Sequence, residues 1–258
     1  MSRFDLHVHT EFCDGQGSPE DYVRAALEKN LDCLGFSAHS PLPFGRRWCM
    51  PLKKAELYRQ TVEELKERYG RRIRILCGIE QDYYSTTSTE AYDYVIGSVH
   101  RVRKYGLPWE VDASAESFAR TVRLAFHGDV YAFAELYYET LADVVNKTGA
   151  EIVGHFDLIK KFNGDGRFFD ESHPRYLAAW QKAADALLDS GAWFEINTGA
   201  ISRGYRTDAY PSAEIRSYLR QRGGRFLLSS DSHRPDSLCT AFEDYAAEAN
   251  PELPNFLL

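Results

Sequence analysis

Ile75-Leu76-Cys77-Gly78-Ile79-Glu80 is an apolar run that ends on a carboxylate. A short run without the polar–apolar alternation of a half-solvated strand reads as a strand buried on both faces, the form that parallel sheets use. A carboxylate at the end of such a run needs a cation, because burying an unpaired charge is costly. The pattern recurs outward in both directions. Toward the N-terminus, Cys33 to Phe36 leads through Ser37-Ala38 to His39, and Phe4 to Val8 leads into His7-Val8-His9. Toward the C-terminus, Tyr94 to Val99 runs into His100, Ile152-Val153-Gly154 into His155, and Phe226 to Leu228 into the pair Asp231 and His233. With Ile73 to Ile79 and Trp193 to Ile196, about seven strands are expected.

Helical signals fill the intervals. Ser18-Pro19-Glu20-Asp21 carries an N-cap serine, a proline at the first helical position and acids in the first turn. A charged helix is expected from about Lys53 to Tyr69. A longer helical region runs from Ser114 to Thr148, broken near His127-Gly128-Asp129 and stopped by Gly149. Strands alternating with helices predict an α/β fold with a parallel sheet covered on its faces. No linker, low-complexity tract or repeat interrupts the chain, so residues 1–258 read as one domain.

The composition bounds the function classes. The formal charge is -7 and the Lys and Arg residues are scattered, which argues against nucleic acid or an anionic membrane as the main partner. A small anionic substrate stays open, because bound metal ions add positive charge that the formal count omits. Five cysteines without CxxC spacing predict no disulfide framework and a reducing, cytoplasmic setting. The N-terminus shows no signal-peptide apolar region, and no apolar run approaches the roughly 20 residues of a membrane span.

His7-x-His9 places two imidazoles on one face of an extended segment, since strand side chains alternate. Alone this is weak, and a single His100 or His155 is more often a core histidine bonded to backbone. Six of the eight histidines, however, fall at or just after expected strand ends; His127 and His173 read as helix-end or loop residues. Six independent buried imidazoles would each cost a few kcal/mol unless paired, whereas a shared cluster satisfies all of them. His, Asp and Glu gathered almost without Cys suit a catalytic cluster of divalent ions better than a structural zinc site.

Taken in order, Asp5-Leu-His7-Val-His9-Thr, Gly35-Phe-Ser-Ala-His39-Ser-Pro, Gly78-Ile-Glu80, Gly97-Ser-Val-His100, Gly154-His155-Phe-Asp and Ser230-Asp231-Ser-His233-Arg resemble the polymerase and histidinol phosphatase (PHP) superfamily of metal-dependent phosphoesterases over essentially the whole chain. The resemblance implies a distorted (β/α)7 barrel, similar to a TIM barrel, with metal ions at the C-terminal ends of the strands. Three further stretches resemble its histidinol-phosphatase branch: Ser40 to Phe44, Gly154 to Phe162, and Ile196-Asn-Thr-Gly199 leading through Arg203 to Tyr210-Pro-Ser212.

By that resemblance two or three divalent ions are expected, with zinc, manganese and iron all suited to the donors. His7, His9, Glu80 and Asp231 would hold the first. Glu80 would bridge to a second held by His100 and His155. His39 and His233 would hold a third, with a further ligand from the loop Glu11 to Gln16; Asp14 is the candidate, its alternative being a turn residue in Asp-Gly. Ala38 stands where many relatives carry Asp, which would remove a partner behind the ligands. Glu80, Asp231 and His233 are the expected catalytic residues, and Arg203 and Lys161 the expected phosphate-binding cations. Trp48, Tyr83 and Trp109 are candidates to wall an imidazole pocket, or else pack in the core or on the surface. The implied reaction is hydrolysis of a small phosphate monoester, L-histidinol phosphate first. The alternatives are another phosphate ester, phosphotyrosine, or a metal-binding scaffold without catalysis.

Overall fold

The computed structural model describes residues 3–44 and 48–257. Strand β1 (Phe4–Asp5) leads into helix α1 (Pro19–Glu28), then β2 (Cys33–His39), α2 (Ala55–Tyr69), β3 (Arg74–Asp82) and β4 (Tyr94–Ser98). A hairpin of β5 (Arg101–Lys104) and β6 (Leu107–Glu110) precedes α3 (Ala115–Ala125), α4 (Val130–Ala142) and α5 (Val144–Thr148). Then come β7 (Ile152–Val153), α6 (Pro174–Asp189), β8 (Trp193–Asn197), α7 (Gly199–Ser202), α8 (Ala213–Gln221), β9 (Arg225–Ser229) and α9 (Phe242–Tyr245). Seven of the strands form one parallel sheet in the order β1-β2-β3-β4-β7-β8-β9. A parallel bridge between Val8 and Ser232 brings its two edges together into a nearly closed barrel. The expected (β/α)7 architecture is therefore the one observed. No helix among the described residues is long and apolar enough to cross a membrane.

Local chemistry explains the element boundaries. Ser18 caps α1 and forms a reciprocal capping box with Asp21. The break expected near residue 128 is real: His127 and Gly128 take positive φ, and Asp129 caps α4. Gly149 ends α5 in the left-handed conformation. Two features differ from expectation. The first strand is shorter than Phe4 to Val8, because the Val8 amide bonds the Ser37 hydroxyl at 2.9 Å instead of a strand carbonyl. The β5–β6 hairpin was not expected. Its turn places Tyr105 and Gly106 both at positive φ, as a two-residue hairpin requires, without the usual Asn-Gly signal.

Strand alternation fills the barrel in layers. Leu6, Cys33, Leu76, Tyr94, Ile152 and Leu227 form the apolar floor. Further along the strands the inward positions are occupied by Ser37, Glu80 and Glu195, all buried. Tyr94 plugs the centre, and its single hydroxyl proton is shared between the Leu6 and Phe36 carbonyls, 2.5 and 3.0 Å away. Gly78 makes room for that ring: a Cβ there would lie 2.3–2.6 Å from three Tyr94 ring atoms. Gly78→Ala is therefore expected to destabilise the fold by about 1–3 kcal/mol or more, measured by the urea midpoint of unfolding.

Candidate metal centre

The inward row above the floor ends on ligand-type side chains from six strands. His7 and His9 follow β1, His39 ends β2, Glu80 lies in β3 beside it in register, His100 follows β4, His155 follows β7, and Asp231 and His233 follow β9. Asp231 holds a strained φ of 47°. Such a conformation persists in a non-glycine residue only when its surroundings impose it. Arg203, directly after α7, imposes it here: Nη1 donates to the Asp231 carbonyl and Nη2 to Oδ2, both at 2.8 Å. Gly199 admits the pair, since a Cβ there would lie 2.7 Å from Arg203 Nη2 and 2.8 Å from Asp231 Oδ2.

Three groups of donors share Glu80 and its neighbours. In the first, His7 Nε2 lies 3.5 Å from Glu80 Oε2 and 3.7 Å from Asp231 Oδ1, and His9 Nε2 lies 3.6 and 3.2 Å from the same atoms. Donors about 2.1 Å from a tetrahedral ion stand roughly 3.4 Å apart, so the spacing matches a ligand cage. In the second group the other Glu80 oxygen, Oε1, lies 3.0 Å from His155 Nε2 and 3.4 Å from His100 Nε2. In the third, Asp14 Oδ1 lies 3.3 Å from His233 Nε2, 3.6 Å from His39 Nε2 and 3.9 Å from His9 Nδ1. His39 also touches the first group, with Nδ1 2.5 Å from Glu80 Oε2. His7 Nε2 and His9 Nε2 are buried with no hydrogen-bond partner among the described residues. Orphaned donors converging on common points fit divalent cations.

The electrostatics agree. Burial pushes the Glu80 carboxyl up, but His39, His100 and His7 outweigh it and hold the group well below the usual carboxylate range. Asp231 is held low against its burial by Arg203 and His7, and Asp14 by His39 and His233. Burial, with His233 and His39 alongside, pushes the His9 imidazole down to about 3, leaving it neutral with one ring nitrogen's lone pair for a cation.

The cluster floors a cleft of about 310 Å³. Arg101, Lys161 and Arg203 bring positive charge to its wall, Glu110 and Asp112 negative charge, and Trp48, Tyr205 and Tyr210 aromatic surface. Lys161 Nζ is 3.0 Å from Asp112 Oδ2. A larger groove of about 680 Å³ between Arg3, Lys29 and Phe242 carries no histidine among its lining residues. The structure thus gathers all nine expected ligand residues, together with Arg203 and Lys161, at one place. Of the three aromatic candidates only Trp48 reaches the cleft. Tyr83 bonds Asp143 and Trp109 bonds the Lys104 carbonyl, both packing against the outer core. Ala38 also proves remote from the ligands: it faces the outer core, its amide near the Tyr58 hydroxyl, so an acid there would not back the neighbouring His39. The carboxylates behind the ligands are Asp82, 3.2 Å from His100 Nδ1, and Glu195, 2.5 Å from His7 Nδ1. Both were missed in the sequence, although Glu195 carries the signal that marked Glu80, a carboxylate within an apolar strand.

Arg203 reads from the sequence as a phosphate-binding cation, and its grip on Asp231 gives it a second role. Arg203→Ala is expected to weaken inhibition by free phosphate tenfold to a hundredfold, ~1.5–3 kcal/mol for a charge-assisted contact, and also to lower metal content by freeing Asp231. Phosphate titration and metal analysis of the same preparation check both.

Comparison with known proteins places this geometry. The model of the PHP domain matches residues 5–199. A "Probable histidinol-phosphatase" of Deinococcus radiodurans is 28% identical over 255 residues, covering 95% of this chain and 91% of the relative. A Listeria monocytogenes protein assigned as a histidinol phosphatase superposes with a TM-score of 0.80 at 21% identity, covering 94% of this chain and 100% of the other. Histidinol phosphate phosphatase from Lactococcus lactis, solved with zinc, L-histidinol and phosphate, superposes with a TM-score of 0.68 at 20% identity, covering 98% of this chain and 95% of the other. At these identities the two structural likenesses concern the fold.

Proposed function

The chain belongs to the PHP domain family, and on that premise we propose that it is a metal-dependent phosphomonoesterase that hydrolyses L-histidinol phosphate to L-histidinol and phosphate. The observation that carries this reading is the crowding of donors around Glu80: ligand atoms of His9, Asp14, His39 and His233, of His7, His9 and Glu80, and of His39, Glu80 and His100 lie within 4.8 Å of one another, with buried unpartnered atoms among them. His7, His9, Glu80 and Asp231 would hold one ion, Glu80, His100 and His155 a second, and Asp14, His39 and His233 a third. Bound divalent ions supply a water of lowered pKa and a clamp for phosphoryl oxygens.

The residues of the chain do the rest. Glu80 keeps both oxygens as acceptors, deprotonated by its imidazole neighbours. Arg203 fixes Asp231 and presents its guanidinium at the cleft, where a fork of donors suits phosphoryl oxygens. Lys161 adds a second cation beside Asp112. Glu110 and Asp112 on the cleft wall suit the ammonium group of histidinol, and Trp48, 4.7 Å in ring-centroid distance from His39, offers an edge or face to its imidazole. Named histidinol-phosphatases among the relatives support the substrate.

The test compares kcat/KM for L-histidinol phosphate, nucleoside monophosphates and phosphotyrosine, with zinc or manganese added. A preference for histidinol phosphate of about a hundredfold or more, ~2.7 kcal/mol, is expected, with loss of turnover on chelation and recovery on metal return. A preference for phosphotyrosine or nucleotides would move the substrate elsewhere in the family. Turnover that survives complete chelation would overturn the metal-dependent reading.

A further inference from the structure

Glu195 is 1% exposed in the middle of β8, and its two oxygens do different work. Oε1 meets His7 Nδ1 at 2.5 Å. Oε2 accepts the His155 backbone N–H at 3.0 Å and the Asn197 Nδ2–H at 3.1 Å. His7 belongs to the first donor group and His155 to the second, so one carboxylate touches both. We propose that Glu195 is a positioning residue that ties the two cation positions together; it fixes the His7 ring as an Nε2 donor and anchors the strand end that carries His155. The inference rests on the metal-dependent reading above.

The chemistry requires a carboxylate rather than an amide. An ionised carboxylate only accepts hydrogen bonds, and all three groups facing Glu195 can donate. With Nδ1–H given to Oε1, the lone pair of His7 sits on Nε2, the atom aimed at Glu80 and Asp231. A glutamine fails in either orientation. With its NH2 toward His7, Nδ1 must accept and the ring proton moves to Nε2, blocking the donor. With its NH2 toward β7, it meets the His155 N–H and the Asn197 amide, donor against donors. Asp82 does half of this work, bonding His100 Nδ1 and approaching the His100 amide at 3.4 Å, all within the second donor group. Of the two carboxylates that stand behind the donor groups, Glu195 is the one that touches members of both the first and the second.

The experiment is Glu195→Gln, with zinc affinity read by chelator competition and melting recorded with and without zinc. Loss of a partner behind a metal ligand typically weakens binding tenfold to a hundredfold, and that weakening is expected here. The metal-free variant is expected to melt lower, because an amide leaves a buried contact unmade, and the rise in Tm on zinc addition is expected to shrink as well. A purely structural role predicts a lower metal-free Tm with unchanged zinc affinity in the folded protein, and would overturn the proposal. A wild type that takes up no zinc sinks the metal-dependent reading and this inference with it, whereas wild-type uptake with unchanged affinity in the variant sinks this inference alone. A second measurement needs no variant. In zinc-loaded wild type with 15N-labelled histidine, the His7 ring should carry its proton on Nδ1; a proton on Nε2 overturns the proposal even if Glu195→Gln does not fold.

Discussion

Glu80→Gln is expected to lower turnover of histidinol phosphate more than about a hundredfold while the protein stays folded. Both oxygens of Glu80 are committed: Oε2 faces His7, His9 and His39, and Oε1 faces His100 and His155. The side chain is fully buried, so water cannot substitute for either contact. An amide would remove the negative charge that two neighbouring cations would share. It also turns one acceptor into a donor, and that donor must point at imidazole nitrogens needed as ligands. The shape is unchanged, so the apolar floor beneath, built on Leu76 and Tyr94, should hold the barrel together. Metal content by mass spectrometry should fall together with the rate. Activity above about a tenth of wild type, a loss under ~1.4 kcal/mol, would show that Glu80 does not bridge.

The barrel was legible because parallel strands are buried on both faces. Their sequences are continuous apolar runs, and a His or Glu ending one stands out, as Glu80, His100 and His155 do. What lay off the strand ends was harder to read. Arg203 follows a four-residue helix, and its contact with Asp231 spans 28 residues of sequence. No local pattern encodes that pairing. The β5–β6 hairpin was hidden by Tyr105 at a position where Asn or Gly is usual, and with it went Arg101 and the wall it forms beside Trp48. Other misses were readable by counting. Alternation from Glu80 puts Asp82 on the site side of β3 and Tyr83 on the outer side, where each is found. Alternation along Trp193-Phe-Glu-Ile-Asn197 likewise sends Glu195 inward, while Phe194 and Ile196 join the outer core. The third donor group was legible only in part, because its loop ligand depends on how Glu11 to Gln16 folds.

That loop yields the other large effect: Asp14→Ala is expected to remove about one metal ion per chain and slow turnover at least about tenfold, ~1.4 kcal/mol, whereas Gln16→Ala should do neither. As ligands His39 and His233 would be neutral, and two imidazoles alone would hold a divalent ion loosely. Asp14 adds the missing negative charge. Its Oδ1 sits 3.3 Å from His233 Nε2 and 3.6 Å from His39 Nε2, facing both rings. When no ion is bound and those imidazoles are protonated, they hold its carboxyl below the ordinary carboxylate range against partial desolvation. The loop is built to present it: the amides of Cys13 and Gly15 both close back on the Thr10 carbonyl. Gln16 is exposed and reaches the site through its backbone, its N–H donating to the His233 carbonyl at 2.7 Å, so shortening its side chain leaves that bond in place. Anomalous scattering at the metal edges, with metal counts on wild type and both variants, checks the assignment. Two ions in the fully loaded wild type, or a third with Asp14 turned away from it, would refute the trinuclear arrangement and leave protonation of the departing alkoxide to a side chain at the cleft.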